Sequence, residues 1–237
     1  MFQDGGPSLW ELAAQAFSST TKGYDMLAPK FEKTPFRTPD ALLAPMVAQL
    51  GGPLSLDAAL DICCGTGAAL RALRPLCRDH VTGVDLSEGM LAQAREQAEA
   101  APGSAQVRLY QQDAMDLQFV EEFDAATCCG AFGHILPPDQ DRFMVGVKRA
   151  LRPGGRFVFL SHPMPKVTDP AWWSARGFNA AMHVRNALYD PPFIMFYLTF
   201  TLERAREVIL RHGFSLEERR VFAPPYDRFR VVIATKR

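Results

Sequence analysis

The chain has 237 residues, 26 basic and 26 acidic side chains, and a hydrophobic content of 48%. This length can bury one large α/β core, and the balanced charge creates no net field that would attract nucleic acid or an anionic membrane. No apolar run approaches the roughly 20 residues of a membrane span, and the N-terminus lacks the pattern of a signal peptide. We therefore expect a cytoplasmic enzyme whose substrate is not nucleic acid.

Residues 1–52 precede the first predicted strand and carry apolar side chains at helical spacing. The same spacing predicts an amphipathic helix from Pro39 to Leu50. Between these helical segments stands the pair Tyr24-Asp25. From the residues alone, Tyr24 either faces a ligand or carries an ordinary hydroxyl at a helix surface.

The next stretch has the pattern of half a nucleotide-binding unit. Ala58 to Cys63 is an apolar run that predicts a buried parallel strand, and the turn from Cys64 to Gly67 contains two glycines. A helical pattern follows, and the strand predicted from His80 to Val84 ends in Asp85. A ligand site is expected at the carboxyl ends of such strands, and an acid about 20 residues after the glycine turn suits a ribose diol.

The turn is poorly suited to a pyrophosphate. A dinucleotide fingerprint requires a third small residue where Leu70 stands, and a phosphate-binding loop requires a lysine where Ala68 follows Gly67. No basic side chain stands near the turn before Arg71. The pattern favours a nucleoside without phosphates.

Further motifs follow in order. A helix is predicted from Glu88 to Ala100, and the third strand, Gln106 to Tyr110, leads to Asp113. The fourth strand, Phe123 to Cys129, leads into a glycine turn, and Leu-Arg-Pro-Gly-Gly at 151–155 precedes the fifth strand.

From about residue 58 to residue 160, these five ordered motifs resemble the class I S-adenosylmethionine-dependent methyltransferases. The resemblance implies a doubly wound, Rossmann-like α/β fold with a seven-stranded, mostly parallel sheet that ends in an antiparallel hairpin. It also implies S-adenosylmethionine as methyl donor and S-adenosylhomocysteine as product. The family often has glycine where Cys63 stands, and a small thiol is expected to be accommodated there.

The resemblance also implies a set of cofactor contacts. Gly65 and Gly67 are expected to contact the methionine portion, with Cys129 and Gly130 near the methyl group. Asp85 is expected to bind the ribose, Leu86 and Met90 to cover the adenine faces, and Asp113 and Ala114 to contact the adenine edge. Three further contacts are implied, at Tyr24, Asp61 and Cys63. In many small-molecule members of the family, an N-terminal Tyr-Asp pair folds over the cofactor.

The catalytic residue is unknown from the sequence. His134 follows the fourth strand and is the first candidate for a base, ahead of His162 after the fifth strand and His183 on a later helix. A histidine in such a loop is more often a packing residue, and amine or carbon acceptors need no enzymic base.

The cysteines predict no metal site, because the adjacent pairs Cys63-Cys64 and Cys128-Cys129 do not match zinc or redox spacing. The favoured interpretation is that these cysteines act as small apolar side chains that fill the strand ends. The alternative is that up to four thiols face the cofactor, which would make the site sensitive to oxidants.

Residues 161–200 carry no family motif and are unusually aromatic, which predicts a lid over an apolar acceptor pocket. Asp169 is expected to cap a lid helix, and Ile194 to Thr201 alternates enough to predict an added strand. A helix from Leu202 to His212 and two closing strands, Phe214 to Phe222 and Phe229 to Thr235, complete the chain.

We therefore predict a single methyltransferase domain, 1–237, with an N-terminal helical cap (1–52), a cofactor-binding core (53–160), the lid (161–200) and a C-terminal helix and hairpin (201–237). The expected acceptor is a small, partly apolar molecule, and the protein is expected to be a monomer or homodimer. One alternative is an RNA or protein methyltransferase, which requires a basic groove beside Gly65. The other is a protein that binds the cofactor without methylating.

Overall fold

The structure is a computed structural model that describes residues 5–237 apart from the side chain of Leu9, so residues 1–4 of the predicted cap lie outside the described residues. The helices are α1 (Leu9–Ala16), α2 (Thr20–Leu27), α3 (Asp40–Val47), α4 (Ala68–Leu73), α5 (Glu88–Glu99), α6 (Gln140–Ala150), α7 (Pro170–Leu188) and α8 (Leu202–Arg211). The strands are β1 (Leu56–Ile62), β2 (Cys77–Asp85), β3 (Gln106–Gln111), β4 (Phe123–Cys128), β5 (Leu151–Ser161), β6 (Phe214–Arg219) and β7 (Arg230–Lys236).

The seven strands form one sheet in the order β3-β2-β1-β4-β5-β7-β6. Strands β1 to β5 are parallel, and β7 runs antiparallel to both of its neighbours. The predicted mixed sheet with an antiparallel C-terminal hairpin is confirmed. The chain changes direction across the sheet between β1 and β4, and the crevice at such a switch point is where open α/β sheets bind ligands.

Strand β1 is central and buried on both faces. Leu60 and Ile62 point to one hydrophobic layer, which α6 and α8 cover, whereas Ala59 points to the other, which α3, α4 and α5 cover. This alternation follows from the two-residue period of a strand. It explains why the strand reads in sequence as a continuous apolar run.

The lid contains α7, and its cap is as predicted: the Ala171 N–H donates to Oδ1 of Asp169 at 2.9 Å. Along α7, the apolar side chains of Ala175 and Met182 are buried. Within residues 5–237, no helix combines the length and the apolar character needed to cross a membrane.

The predicted strand from Ile194 to Thr201 is wrong, because this segment is irregular. Two asparagines of α7 take the backbone groups that a neighbouring strand would have paired. Asn186 accepts from the Phe193 N–H at 3.0 Å and donates to its carbonyl at 3.1 Å. Asn179 does the same for Tyr197, at 2.8 and 2.9 Å. The alternating side chains therefore reflect contacts with a helix rather than a sheet register.

Candidate active site

A cavity of about 760 Å³ lies at the carboxyl ends of the central strands. Its floor comes from the segments that follow β1, β2, β3 and β4, and its walls come from the cap and the lid. The cavity is therefore at the switch point of the sheet, and residues far apart in the chain meet around it.

Eleven of the twelve residues expected from the family resemblance line this cavity. They are Tyr24, Asp61, Cys63, Gly65, Asp85, Leu86, Met90, Asp113, Ala114, Cys129 and Gly130. Gly67 is not among the lining residues. It has a φ of +85°, and a Cβ placed there would lie 3.1 Å from Cα of Ala94, so this glycine allows α4 and α5 to pack closely.

The turn after β1 exposes backbone toward the cavity. Gly65 has a φ of +52°, and a Cβ at this position would meet no atom within 4 Å. Cys63 also has a positive φ, +55°, a conformation that side chains other than glycine seldom adopt. This backbone geometry explains why the family often has glycine where this chain has Cys63.

The Asp85 carboxylate is fixed by backbone donors on both sides. Its Oδ2 accepts from the Gly65 N–H and its Oδ1 from the Ser87 N–H, each at 2.9 Å. An ionised carboxylate has about four acceptor sites, so each oxygen keeps one for a ligand in the cavity. Burial raises the pKa of Asp85, and its two backbone donors oppose that shift.

Asp61, at the end of β1, is 1% exposed. Its Oδ1 accepts from the Thr127 hydroxyl on β4 at 2.7 Å. Burial raises the pKa of Asp61 to about 7, and the negative charge of Asp85 acts in the same direction. Asp61 is therefore a carboxyl group that titrates near neutral pH beside the cavity.

The pair Tyr24-Asp25 bridges the cavity. The Tyr24 hydroxyl lies 2.9 Å from Nε2 of His134, in the loop after β4. Asp25 Oδ1 accepts from the hydroxyl of Ser87, the N-cap of α5, at 2.6 Å and from the N–H of Gly89, in the first turn of α5, at 3.0 Å. Two consecutive residues of α2 thus hold the cap to both sides of the cleft.

The hydrogen bonds of His134 define its tautomer. Its Nδ1 faces the carbonyl oxygen of Ile194, which can only accept, so Nδ1 carries the proton. Nε2 then accepts from the Tyr24 hydroxyl. Burial lowers the pKa of His134 and raises the pKa of Tyr24. The pair is consequently neutral, with the imidazole as proton acceptor.

The other two candidate bases are not among the residues that line the cavity. The Nδ1 of His162 lies 2.9 Å from the Pro163 carbonyl, and its ring packs edge-on against Phe229. His183 lies on the exposed side of α7, with its ring against Phe196.

Three of the four paired cysteines line the cavity, namely Cys63, Cys64 and Cys129, whereas Cys128 lies in the core. Burial raises the pKa of Cys64 and of Cys129. The Cys64 and Cys129 thiols therefore stay protonated, which disfavours the reactive thiolate that the alternative interpretation requires at these two positions. In the stretch 5–237, no cluster of three or more His, Cys, Asp or Glu side chains could hold a metal ion.

Cap residues that no local motif reveals also contact the glycine turn. The Thr66 hydroxyl donates to Glu32, and the Arg37 Nε donates to the other carboxylate oxygen of Glu32 at 2.8 Å. Arg37 is the basic residue among the described lining residues, which also include Asp61, Asp85, Asp113 and Asp139. The lining thus has acidic rather than basic character.

Comparison with known proteins identifies the core. Residues 59–155 match a protein-family model described as a methyltransferase domain. Residues 59–155 form a methyltransferase domain. The resemblance to the class I methyltransferases is confirmed for this part of the chain.

The chain is 37% identical over 112 residues to a demethylmenaquinone methyltransferase of Symbiobacterium thermophilum. That match covers 46% of this chain and 44% of the relative, so it spans less than half of the relative's length.

Solved structures extend the likeness of fold beyond the methyltransferase domain. An O-methyltransferase family protein from Burkholderia thailandensis has a TM-score of 0.67 at 15% identity, over 96% of this chain and 66% of that one. The magnesium protoporphyrin IX methyltransferase from Synechocystis, with bound S-adenosylhomocysteine, has a TM-score of 0.56 at 20% identity, over 84% and 81%.

Proposed function

We propose that the protein transfers a methyl group from S-adenosylmethionine to a small, partly apolar molecule. One observation carries this proposal: Asp85, fixed by the Gly65 N–H at the switch point of a methyltransferase domain, keeps acceptor sites free for a ribose diol. The glycine turn itself, 64–67, contains no lysine or arginine, and the two arginines near it, Arg37 and Arg71, are paired with Glu32. An adenosyl group without phosphates suits both features.

The other lining residues suit a cofactor that is bound with its ribose at Asp85. The open backbone at Gly65 suits the methionine portion, and Leu86 and Met90 suit the faces of the adenine. Asp113 suits the adenine amino group, and Arg37 adds a cation that suits the methionine carboxylate. The S-adenosylhomocysteine bound to the Synechocystis enzyme of the same fold is in accord with this choice of cofactor.

When bound, S-adenosylmethionine supplies an electrophilic methyl group, so the protein needs chiefly to align the acceptor and exclude water. The link between Tyr24 and His134 closes the cap over the cavity and serves exclusion of water. For a hydroxyl acceptor, Nε2 of His134 is the site that receives the proton, either directly or through the Tyr24 hydroxyl. For an amine or carbon acceptor, the same pair acts only in alignment.

The acceptor side of the cavity is apolar. Its lining includes Leu12, Ala16, Phe178, Met182, Phe193 and Met195. The acidic residues near the cofactor side disfavour an RNA acceptor, which requires a basic groove. The name of the Symbiobacterium relative, a methyltransferase of a small molecule, supports a small acceptor as well. Cytoplasmic location and a monomeric or homodimeric state stay predictions.

The test is formation of S-adenosylhomocysteine, measured by mass spectrometry, with a panel of hydrophobic phenols, amines and naphthols as acceptors. We expect acceptor-dependent product that is strongly reduced in Asp85→Ala and unchanged in Asp79→Ala, an exposed position on the same strand. Tight binding of S-adenosylmethionine without turnover of any acceptor would instead support the cofactor-binding protein that does not methylate.

A further inference from the structure

One polar side chain lies in the apolar half of the cavity without a partner. Gln15, on α1, is 8% exposed and lines the cavity next to Leu12 and Ala16. In the part of the chain that the structure describes, the hydrogen bonds of Gln15 outside the backbone pattern of α1 are those of its backbone carbonyl with Ser18, and its side-chain amide makes none. Its side-chain amide, which can both donate and accept, is therefore available to whatever fills the cavity.

The stem of Gln15 is held in place. A Cβ added to Gly23 would lie 2.9 Å from Cγ of Gln15 and 2.9 Å from Cε2 of Phe193. Gly23 of α2 therefore leaves the space through which the Gln15 stem passes toward the lid. The Gln15 carbonyl accepts from the Ser18 hydroxyl at 2.8 Å, which fixes the backbone end as well. Gln15 therefore packs against Gly23 where it lines the cavity.

An amide that loses its partners when an acceptor fills the cavity costs about 1–3 kcal/mol for each group left unpaired. Water can pair with it while the cavity is empty of acceptor, but an acceptor that displaces this water must replace its hydrogen bonds. A purely apolar acceptor cannot do so. The position of Gln15 is consequently informative about the chemistry of the acceptor.

We propose that Gln15 recognises a neutral hydroxyl or carbonyl group on the acceptor, distinct from the atom that is methylated at the Tyr24–His134 side. This inference rests on the proposed function and specifies its acceptor: an apolar body with two hydrogen-bonding groups. A neutral group is favoured because Arg185, whose guanidinium donates to backbone carbonyls that include those of Ala16 and Ser18, is not among the lining residues.

The test measures binding to the protein saturated with S-adenosylhomocysteine, and the two probes are 2-naphthol and 2,6-dihydroxynaphthalene. These probes share an apolar bicyclic body and differ by one hydroxyl group. For the wild type, calorimetry should give about tenfold tighter binding of the diol. In Gln15→Met, which keeps the length of the side chain, this preference should disappear, while the affinity for S-adenosylhomocysteine stays unchanged.

The matched control is Gln118→Met, an exposed glutamine far along the chain, which should keep the full preference for the diol. If Gln15→Met lowers the melting temperature strongly, Gln15→Leu provides a second apolar variant. A preference for the diol that persists in both Gln15 variants, or a wild type that binds the two probes equally, would overturn this inference and leave the proposed function unaffected. Failure to bind S-adenosylhomocysteine at all would instead contradict the proposed function.

Discussion

The Tyr24 hydroxyl lies 2.9 Å from Nε2 of His134, although 110 positions separate the two residues in the chain. This contact joins the N-terminal cap to the loop after β4, and the neighbouring Asp25 joins the same helix to the start of α5. These contacts hold the cap across the strand ends on both sides of the cavity. Much of the proposed function depends on this position of the cap.

The first prediction concerns this hydrogen bond. Tyr24→Phe removes the donor to His134 and should lower the free energy of unfolding by about 1–3 kcal/mol, because a buried nitrogen loses its partner. His134→Ala should then cost less in the Tyr24→Phe background than in the wild type. A double-mutant cycle by urea unfolding measures the coupling, expected at about 0.5–1.5 kcal/mol. Strict additivity would show that the two side chains do not interact.

The second prediction concerns the affinity for the cofactor. Asp85→Ala removes the proposed partner of the ribose hydroxyls and should weaken binding of S-adenosylhomocysteine by about 1–3 kcal/mol. Titration calorimetry measures the loss, and Asp79→Ala on the same strand is the control. An affinity equal to that of the wild type would refute the ribose assignment.

The local part of the site could be predicted from the sequence. The strand, glycine turn and acid from β1 to β2 form within one short stretch, and parallel strand ends necessarily gather their acids at one edge. The same reasoning correctly placed Asp61, Asp85 and Asp113 around one cavity. It assigned Gly67 to the cofactor and could not reveal its position outside the lining, because the close approach of Gly67 to Ala94 depends on how α5 packs against α4.

Side-chain contacts between residues far apart in the chain explain the remaining differences between the sequence-based predictions and the structure. Two contacts join the cap to the core, one between Glu32 and Thr66 and one between Tyr24 and His134. No spacing in the sequence indicates either contact. The wrong strand at 194–201 has the same origin, because Asn179 and Asn186 of α7 pair with its backbone. Alternating side chains predict an extended segment, but they do not reveal what pairs with its backbone groups.

The third prediction tests this pairing. Asn179→Ala removes both bonds to the Tyr197 backbone and should destabilise the lid by about 1–3 kcal/mol. Limited proteolysis should then cleave within residues 193–200 faster than in the wild type. Asn179→Asp keeps the acceptor and loses the donor, so its cleavage rate should be intermediate. Equal rates for all three proteins would contradict the role given to this asparagine.

The fourth prediction concerns pH. Burial raises the pKa of Asp61 from 3.8 to about 7, so the folded state holds a proton that the unfolded state releases between these values. The stability that this protonation contributes is complete below about pH 4 and is lost as the pH rises through about 7. Asp61→Asn cannot ionise. Its stability relative to the wild type should therefore increase between pH 5 and pH 8, by about 1–4 kcal/mol.

Urea unfolding of both proteins at the two pH values measures this difference. Thr127→Val is a useful companion variant, because loss of the hydroxyl donor should raise the pKa of Asp61 further and shift the transition to higher pH. A stability difference between Asp61→Asn and the wild type that does not change with pH would show that Asp61 is ionised throughout.

The most direct measurement is a crystal structure of the protein grown with S-adenosylhomocysteine. We predict the ribose hydroxyls within hydrogen-bonding distance of Asp85, the adenine between Leu86 and Met90, and the sulfur directed toward the apolar wall that holds Gln15. A ligand found outside this cavity, or a nucleotide whose phosphates occupy the turn at Gly65 in competition with it, would contradict the proposed methyl transfer.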